Sequence, residues 1–147
     1  MQFQYKKSRS TFIYDINTNN WTNGPSLITA RFSHSSCAIQ SQDGTTESII
    51  IIGGITNEGL TKSTEIMKVK EQKWTQGPNL PYGIKNAACV ALPPTMDHAC
   101  IVIGGEGETN EERFSSKIYA LDKSLTTWSY LGQITNGRRD HIALSIS

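Results

Sequence analysis

Three tryptophans recur at a nearly constant interval, with Trp21, Trp74 and Trp128 standing 53 and 54 residues apart. Their surroundings recur in register. Gly24-Pro25 and Gly77-Pro78 follow the first two by three residues, and Leu131-Gly132 takes that place in the third copy. Six residues beyond each Trp comes an aliphatic side chain: Leu27, Leu80 and Ile134. Seven residues before each stands Tyr14, Met67 or Leu121, with Asp15 and Asp122 next in the outer copies. A second landmark, Ile49 to Gly54, returns as Cys100 to Gly105. A unit of this length cannot bury its apolar surface alone, so successive copies must cover one another, as in a propeller or solenoid.

Each copy divides into four short strands. The first runs from His34 to Gln40 and again from Asn86 to Leu92. The second is the aliphatic run before each glycine pair, apolar at every position, which predicts a strand covered on both faces. The third covers Ser63 to Lys70 and Ser116 to Asp122, and the fourth is short and centred on Trp. Gly, Pro, Asn, Thr and Ser fill the connections, as turns require. No stretch shows a helical period with caps, so the sequence predicts an all-β fold.

Taken together, the aliphatic strand, Gly-Gly, Tyr14-Asp15 six residues before Trp21, and Arg31-x-x-His34 resemble the kelch repeat. The resemblance spans about residues 10–146. The middle copy departs from it, with Met67-Lys68 in place of Tyr-Asp, and Ile84 and Ala87 where Arg and His would stand. The resemblance implies kelch-type β-propeller blades of four antiparallel strands. On this reading residues 1–9 are an N-terminal extension and 10–147 are kelch repeats. A partial blade covers 10–23, whole blades cover 34–77 and 86–131, and 140–146 supply the first strand of a further blade. Propellers close with about four to eight blades. The sequence therefore predicts an incomplete arc: a fragment, a truncated product, or half of an assembly prone to self-association.

The repeated residues have physical reasons of their own. Trp21, Trp74 and Trp128 are expected to fill the gaps between neighbouring sheets. Gly53-Gly54 and Gly104-Gly105 allow a sharp turn or a close backbone approach. Asp15 and Asp122 suit turns whose carboxylates accept backbone N–H bonds, and Tyr14 marks the same structural position. Arg31, Arg138, His34 and His141 occupy equivalent sites, which favours bonds to loop carbonyls, with partner contact as the alternative.

Composition removes several function classes. A formal net charge of +1 and scattered basic residues disfavour a nucleic-acid partner. The apolar runs are too short to span a membrane, and the start of the chain lacks a signal-peptide core. Three cysteines, Cys37, Cys89 and Cys100, are an odd number for a disulfide framework, which points to a reducing, cytoplasmic setting. Asn20-Trp21-Thr22 matches a glycosylation acceptor but is set aside because Trp21 is expected to be buried. Gly104-Gly105-Glu106-Gly107 precedes a strand and not a helix, so no nucleotide role is expected. His34-x-x-Cys37 and His98-x-Cys100 lack the four converging ligands of a closed zinc site. No cofactor, metal or catalytic residue is expected.

The function expected is that of a non-catalytic protein-binding module. The resemblance implies a partner surface built from Ile55–Lys62, Glu106–Ser115, Ser26–Ser33, Asn79–Lys85 and Gln133–Arg139. Its candidate contacts are Arg31, Asn57, Glu58, Glu106, Glu108, Glu111, Glu112, Arg113, Arg138 and Arg139, and mixed charge there suits a protein or peptide. A substrate-recruiting part of a ubiquitin-ligase adaptor is one expectation. An actin scaffold or the remnant of a kelch-fold enzyme, such as a sugar oxidase or epimerase, is the alternative.

Overall fold

The computed structural model describes residues 6–107 and 114–146. In chain order the strands are β1 (Phe12–Asp15), β2 (Asn20–Asn23), β3 (Ser35–Gln40), β4 (Thr46–Ile52), β5 (Ile55–Thr56), β6 (Gly59–Leu60) and β7 (Thr64–Lys68). There follow β8 (Lys73–Gln76), β9 (Ile84–Lys85), β10 (Ala88–Ala91), β11 (His98–Ile103), β12 (Glu106–Gly107), β13 (Lys117–Asp122) and β14 (Trp128–Gln133). The described residues contain no helix, and the strand pairs are antiparallel. Two four-stranded sheets share one plan, β3-β4-β7-β8 and β10-β11-β13-β14. Neither closes on itself. No helix in the described residues is long and apolar enough to cross a membrane.

The aliphatic run of β4 explains how the layers stack. Side chains alternate between the faces of a strand. Ile50 and Ile52 point into a core shared with Leu80, Ile84, Cys100, Val102 and Leu121 of the second sheet and its approach. Ile51 and Ile49 point the other way, against Leu27, Met67 and Trp74. The equivalent strand β11 is covered on one face only: Cys100 and Val102 are buried, while Ile101 and Ile103 stay half-exposed.

The paired glycines hold the repeats together. Gly53 and Gly54 have φ of 64° and 96°, and Gly104 and Gly105 have 63° and 95°, values that favour glycine. This geometry lets Gly54 N–H donate to the Ile84 carbonyl at 2.7 Å and Gly105 N–H donate to that of Arg138 at 2.8 Å. A side chain at Gly53 would collide with the Ile84 carbonyl, and one at Gly104 with that of Arg138. A second thread runs through Ser33, Asn86 and Asp140, whose φ values lie within 53–56°. Asn86 N–H donates to Ser33 O, and Asp140 N–H donates to Asn86 O, each at 3.0 Å.

Tryptophan burial follows contact with the Gly-Pro segment of another copy. Trp74 Nε1 donates to the Pro25 carbonyl at 2.9 Å, and Trp128 Nε1 to that of Pro78 at 3.0 Å. Each carbonyl also accepts a threonine hydroxyl from its own copy, Thr11 or Thr64, at 2.8 Å. Trp74 is buried and Trp128 half-buried. Trp21 departs from the expectation of burial. It is 68% exposed and rests on the Tyr14 ring with centroids 4.9 Å apart, and among the described residues no Gly-Pro segment covers it. The reason for setting aside the Asn20-Trp21-Thr22 acceptor therefore falls away, since all three residues are exposed.

Two further differences concern strands. Residues 141–146 pair with no strand among the described residues, so the first strand expected at 140–146 does not form. An extended segment needs a neighbour to satisfy its backbone, and Ile142, Leu144 and Ile146 stay more than four-fifths exposed. Conversely, the loop expected at 55–62 contains the β5–β6 hairpin, turned by Asn57-Glu58 with Gly59 at φ 108°.

The aspartates sit in turns. Asp15 Oδ1 accepts from Asn17 N–H at 2.8 Å, and Asp122 Oδ1 accepts from Thr126 and Thr127 N–H at 2.7 and 3.1 Å. Partial burial alone would raise the Asp122 pKa. Bonds from the Ser124 hydroxyl, the Thr126 and Thr127 amides and the Thr126 hydroxyl outweigh it and hold the carboxyl at about 2.

Two outcomes follow. Trp74→Ala should lower unfolding free energy by about 3–5 kcal/mol, whereas Trp21→Ala should cost less than about 1 kcal/mol; urea titration followed by circular dichroism measures both. Because the folded Asp122 pKa is depressed, its stabilisation is complete above the unfolded value of about 4 and fades as pH falls through about 2. Solvent screening limits this share to about 1 kcal/mol. Urea midpoints measured across that window should fall less steeply in Asp122→Ala than in the parent chain.

Candidate partner-binding surface

Strand register puts the candidate loops at one end of the two sheets. Ser35 opposes Ile52, Ile52 opposes Thr64, and Glu65 opposes Gln76. The segments entering β3, leaving β4, entering β7 and leaving β8 therefore emerge together. The second sheet repeats this, with Ala88 opposite Ile103 and Ile103 opposite Ile118. Antiparallel bonding between Phe32 and Ile55, and between β9 and β12, ties neighbouring loops to each other. Turns at 41–45, 69–72, 92–97 and 123–127 lie at the opposite end.

Arg31 does not belong to the exposed surface. It is 2% exposed, and its guanidinium donates to Gly53 O at 2.7 Å, Ser63 O at 3.1 Å and Glu65 Oε1 at 2.7 Å. Glu65, fully buried on β7, also accepts the Ile28 and Thr29 amides at 2.7 and 3.0 Å. The pair thus fixes the 28–31 segment onto the first sheet. Of the two roles expected for Arg31, bonding loop carbonyls is the one observed, and at 2% exposure the side chain presents no surface to a partner.

The middle copy solves the same problem without charge. Ile84 stands at the Arg31 position, and Tyr119, opposite Tyr130 as Glu65 is opposite Gln76, stands at the Glu65 position. Both pack on the shared core. Tyr119 meets the Tyr82 ring edge-on at 5.9 Å, where Glu65 meets Thr29. In this copy an isoleucine and a tyrosine stand where the other has arginine and glutamate.

Two exposed features remain at this end. Asn57 and Glu58 line an open cleft of about 500 Å³ with Arg9, Ile28, Thr29 and Gln76. The second is a charge cluster. Glu106 lies 3.5 Å from Lys85 Nζ and accepts a short bond from Arg139, which is 3.3 Å from Asp140 and stacked over Phe114 at 5.2 Å. Desolvation alone would raise the Glu106 pKa, but the Arg139 bond and the charges of Lys85 and Arg139 lower it. The loop that carries Glu106 and the loop that carries Arg139 meet here. Arg138 is exposed and bonds Asn136 O at 3.3 Å, with no second Arg31-type pocket formed around it among the described residues. Glu108, Glu111, Glu112 and Arg113 lie outside the described residues.

The sequence reasoning missed one constellation. Cys37 of β3, Cys89 of β10 and Cys100 of β11 bring their sulfurs within 4.8 Å of one another. Cys37 and Cys89 are 52 residues apart, one repeat, so their convergence was readable as equivalent positions on adjacent first strands. The Cys100 and Cys89 thiols aim at the Cys37 sulfur and lower its pKa to about 5, while Cys89 and Cys100 are shifted upward.

Removing one partner of a buried ion pair strands the other. Glu65→Ala should destabilise by about 3–5 kcal/mol, while Glu71→Ala, which breaks the exposed Lys68–Glu71 pair, should change stability by less than about 0.5 kcal/mol. Chemical denaturation of both variants distinguishes the two environments.

No family model matches the chain. It is similar to "Putative protein tag-53" of Caenorhabditis elegans, with 26% identity over 124 residues. That alignment covers 80% of this chain and 9% of the worm protein, so the chain spans less than a tenth of its relative's length.

Proposed function

We propose that this chain is a segment of a kelch-type β-propeller acting as a non-catalytic protein-binding module. Its two four-stranded sheets are successive blades, and the ends of the arc are the β1–β2 hairpin and residues 140–146. The observation that carries the reading is the gathering of the inter-strand loops at one end, with an open cleft and a cluster of both charge signs. Loops on a rigid sheet scaffold can vary without disturbing the core, which suits them to recognition.

The surface fits a peptide or protein carrying both charge signs. Arg9 and Glu58 border the cleft, and Lys85, Glu106, Arg139 and Asp140 extend the same alternation. Such a pattern rewards a complementary partner and penalises a uniformly charged one. Recruitment of substrates to a ubiquitin ligase is the use we favour within a longer protein, and the cytoplasm the compartment. Exposed Phe12, Ile16, Trp21, Leu131 and Ile142 support self-association where blade faces stay open.

Peptide display selection against the purified chain, followed by affinity measurement, tests this reading. Reversing Glu58→Lys together with Arg139→Glu should weaken selected peptides about tenfold or more, equivalent to about 1.4 kcal/mol. Asp43→Lys, in a turn at the opposite end, should leave affinity unchanged. Failure to select any peptide, or equal weakening by Asp43→Lys, would remove this surface from the function.

A further inference from the structure

We propose that Cys37, Cys89 and Cys100 form a three-thiolate site for a soft d10 cation, with Zn2+ the best match and Cu+ the related alternative. The inference is independent of the partner-binding reading, since the cysteines lie between the sheets and not among the loops.

Backbone geometry brings the three sulfurs together. In the second sheet Cys89 pairs with Val102 and Ala91 pairs with Cys100, so Cys89 and Cys100 are diagonal neighbours on one face. A register shift between His98 and Cys100 marks the end of β11 that delivers the third sulfur. Cys37 approaches from the first sheet, its sulfur 2.9 Å from that of Cys89. Cys100 is fully buried at the floor, and Cys37 and Cys89 are half-buried above it.

Three thiolates around one ion at bonds of about 2.3 Å place their sulfurs roughly 3.8–4.0 Å apart. The present sulfurs lie within 4.8 Å of one another, so modest side-chain rotation reaches that spacing without moving a strand. Sulfur donors select soft ions over magnesium or calcium. Charge favours zinc. Three thiolates with Zn2+ leave one net negative charge in this apolar setting, whereas Cu+ leaves two. Loading Zn2+ forms three Zn–S bonds, and each sulfur that still carries a proton loses it to solvent as its S–H bond breaks. Three protein ligands leave the fourth position to water from the half-exposed side. A Cys37–Cys89 disulfide would use only two of the converging sulfurs and give Cys100 no part.

The test uses the full chain purified anaerobically with a non-thiol reductant and then stripped of metal. Addition of Zn2+ should give one bound ion by native mass spectrometry and raise the melting temperature. Co2+ should produce thiolate-to-metal charge-transfer absorption, and Cu+ binding is read by competition with a chromogenic chelator. Cys37→Ser and Cys89→Ser, at half-buried positions, should retain the parent circular dichroism spectrum and lose stoichiometric Zn2+ binding. Absence of both Co2+ charge-transfer absorption and stoichiometric Cu+ binding in the parent chain, or equal metal uptake by both variants, would overturn the site. So would a Cys37–Cys89 disulfide that survives the reductant in the folded chain. If Cu+ binds one per chain and Zn2+ does not, the thiolate site stands and the preference for zinc falls.

Discussion

Everything in this molecule depends on one backbone contact made twice, the approach of a glycine pair to the segment that opens the next repeat. Gly54 reaches Ile84 and Gly105 reaches Arg138 through a direct amide-to-carbonyl bond. The positive φ at these glycines turns the chain out of the central strand, and the missing side chain leaves space for the neighbour. Once that approach is fixed, the sheets face each other at a distance their isoleucines, valine and leucines can fill. Trp74 and Trp128 then reach the carbonyls of Pro25 and Pro78. The aliphatic strand, the glycines and the tryptophan are therefore parts of one inter-repeat joint.

The strand plan was legible because it rests on local periodicity. β3, β4, β7, β11 and β13 lie where alternation and aliphatic runs put them, since those patterns reflect burial within each copy. Burial between copies was harder to read. Trp21 carries the same signature as Trp74, but nothing in its own copy decides whether a preceding segment exists to cover it. Arg138 differs from Arg31 for the same reason: a side chain of identical sequence position finds its pocket only when the next sheet supplies the carbonyls and carboxylate.

The candidate site was legible in outline and misread in detail. Loop positions followed from the repeat, and so did the end of the sheets at which they gather. What escaped was pairing across repeats. Arg31 bonds Glu65, and Ile84 and Tyr119 take the equivalent places on the shared core, so each position is understood only beside another more than thirty residues away. The middle copy looked degenerate because the Ile84 position was noticed without the Tyr119 position. The cysteines escaped similarly, since a ligand set drawn from three strands has no compact spacing.

The thread through Ser33, Asn86 and Asp140 bears on how such a chain acquires its shape. Each link closes a loop of about one repeat, as do the bonds from Trp74 to Pro25 and from Trp128 to Pro78. The entropy lost in closing a flexible loop of this size is about 3.5 kcal/mol plus a constant, and it grows only logarithmically with length. Here the length does not grow at all, because every new repeat docks on its immediate neighbour. Each docking step therefore meets the same entropic barrier as the one before, so assembly can advance one repeat at a time from whichever sheet forms first.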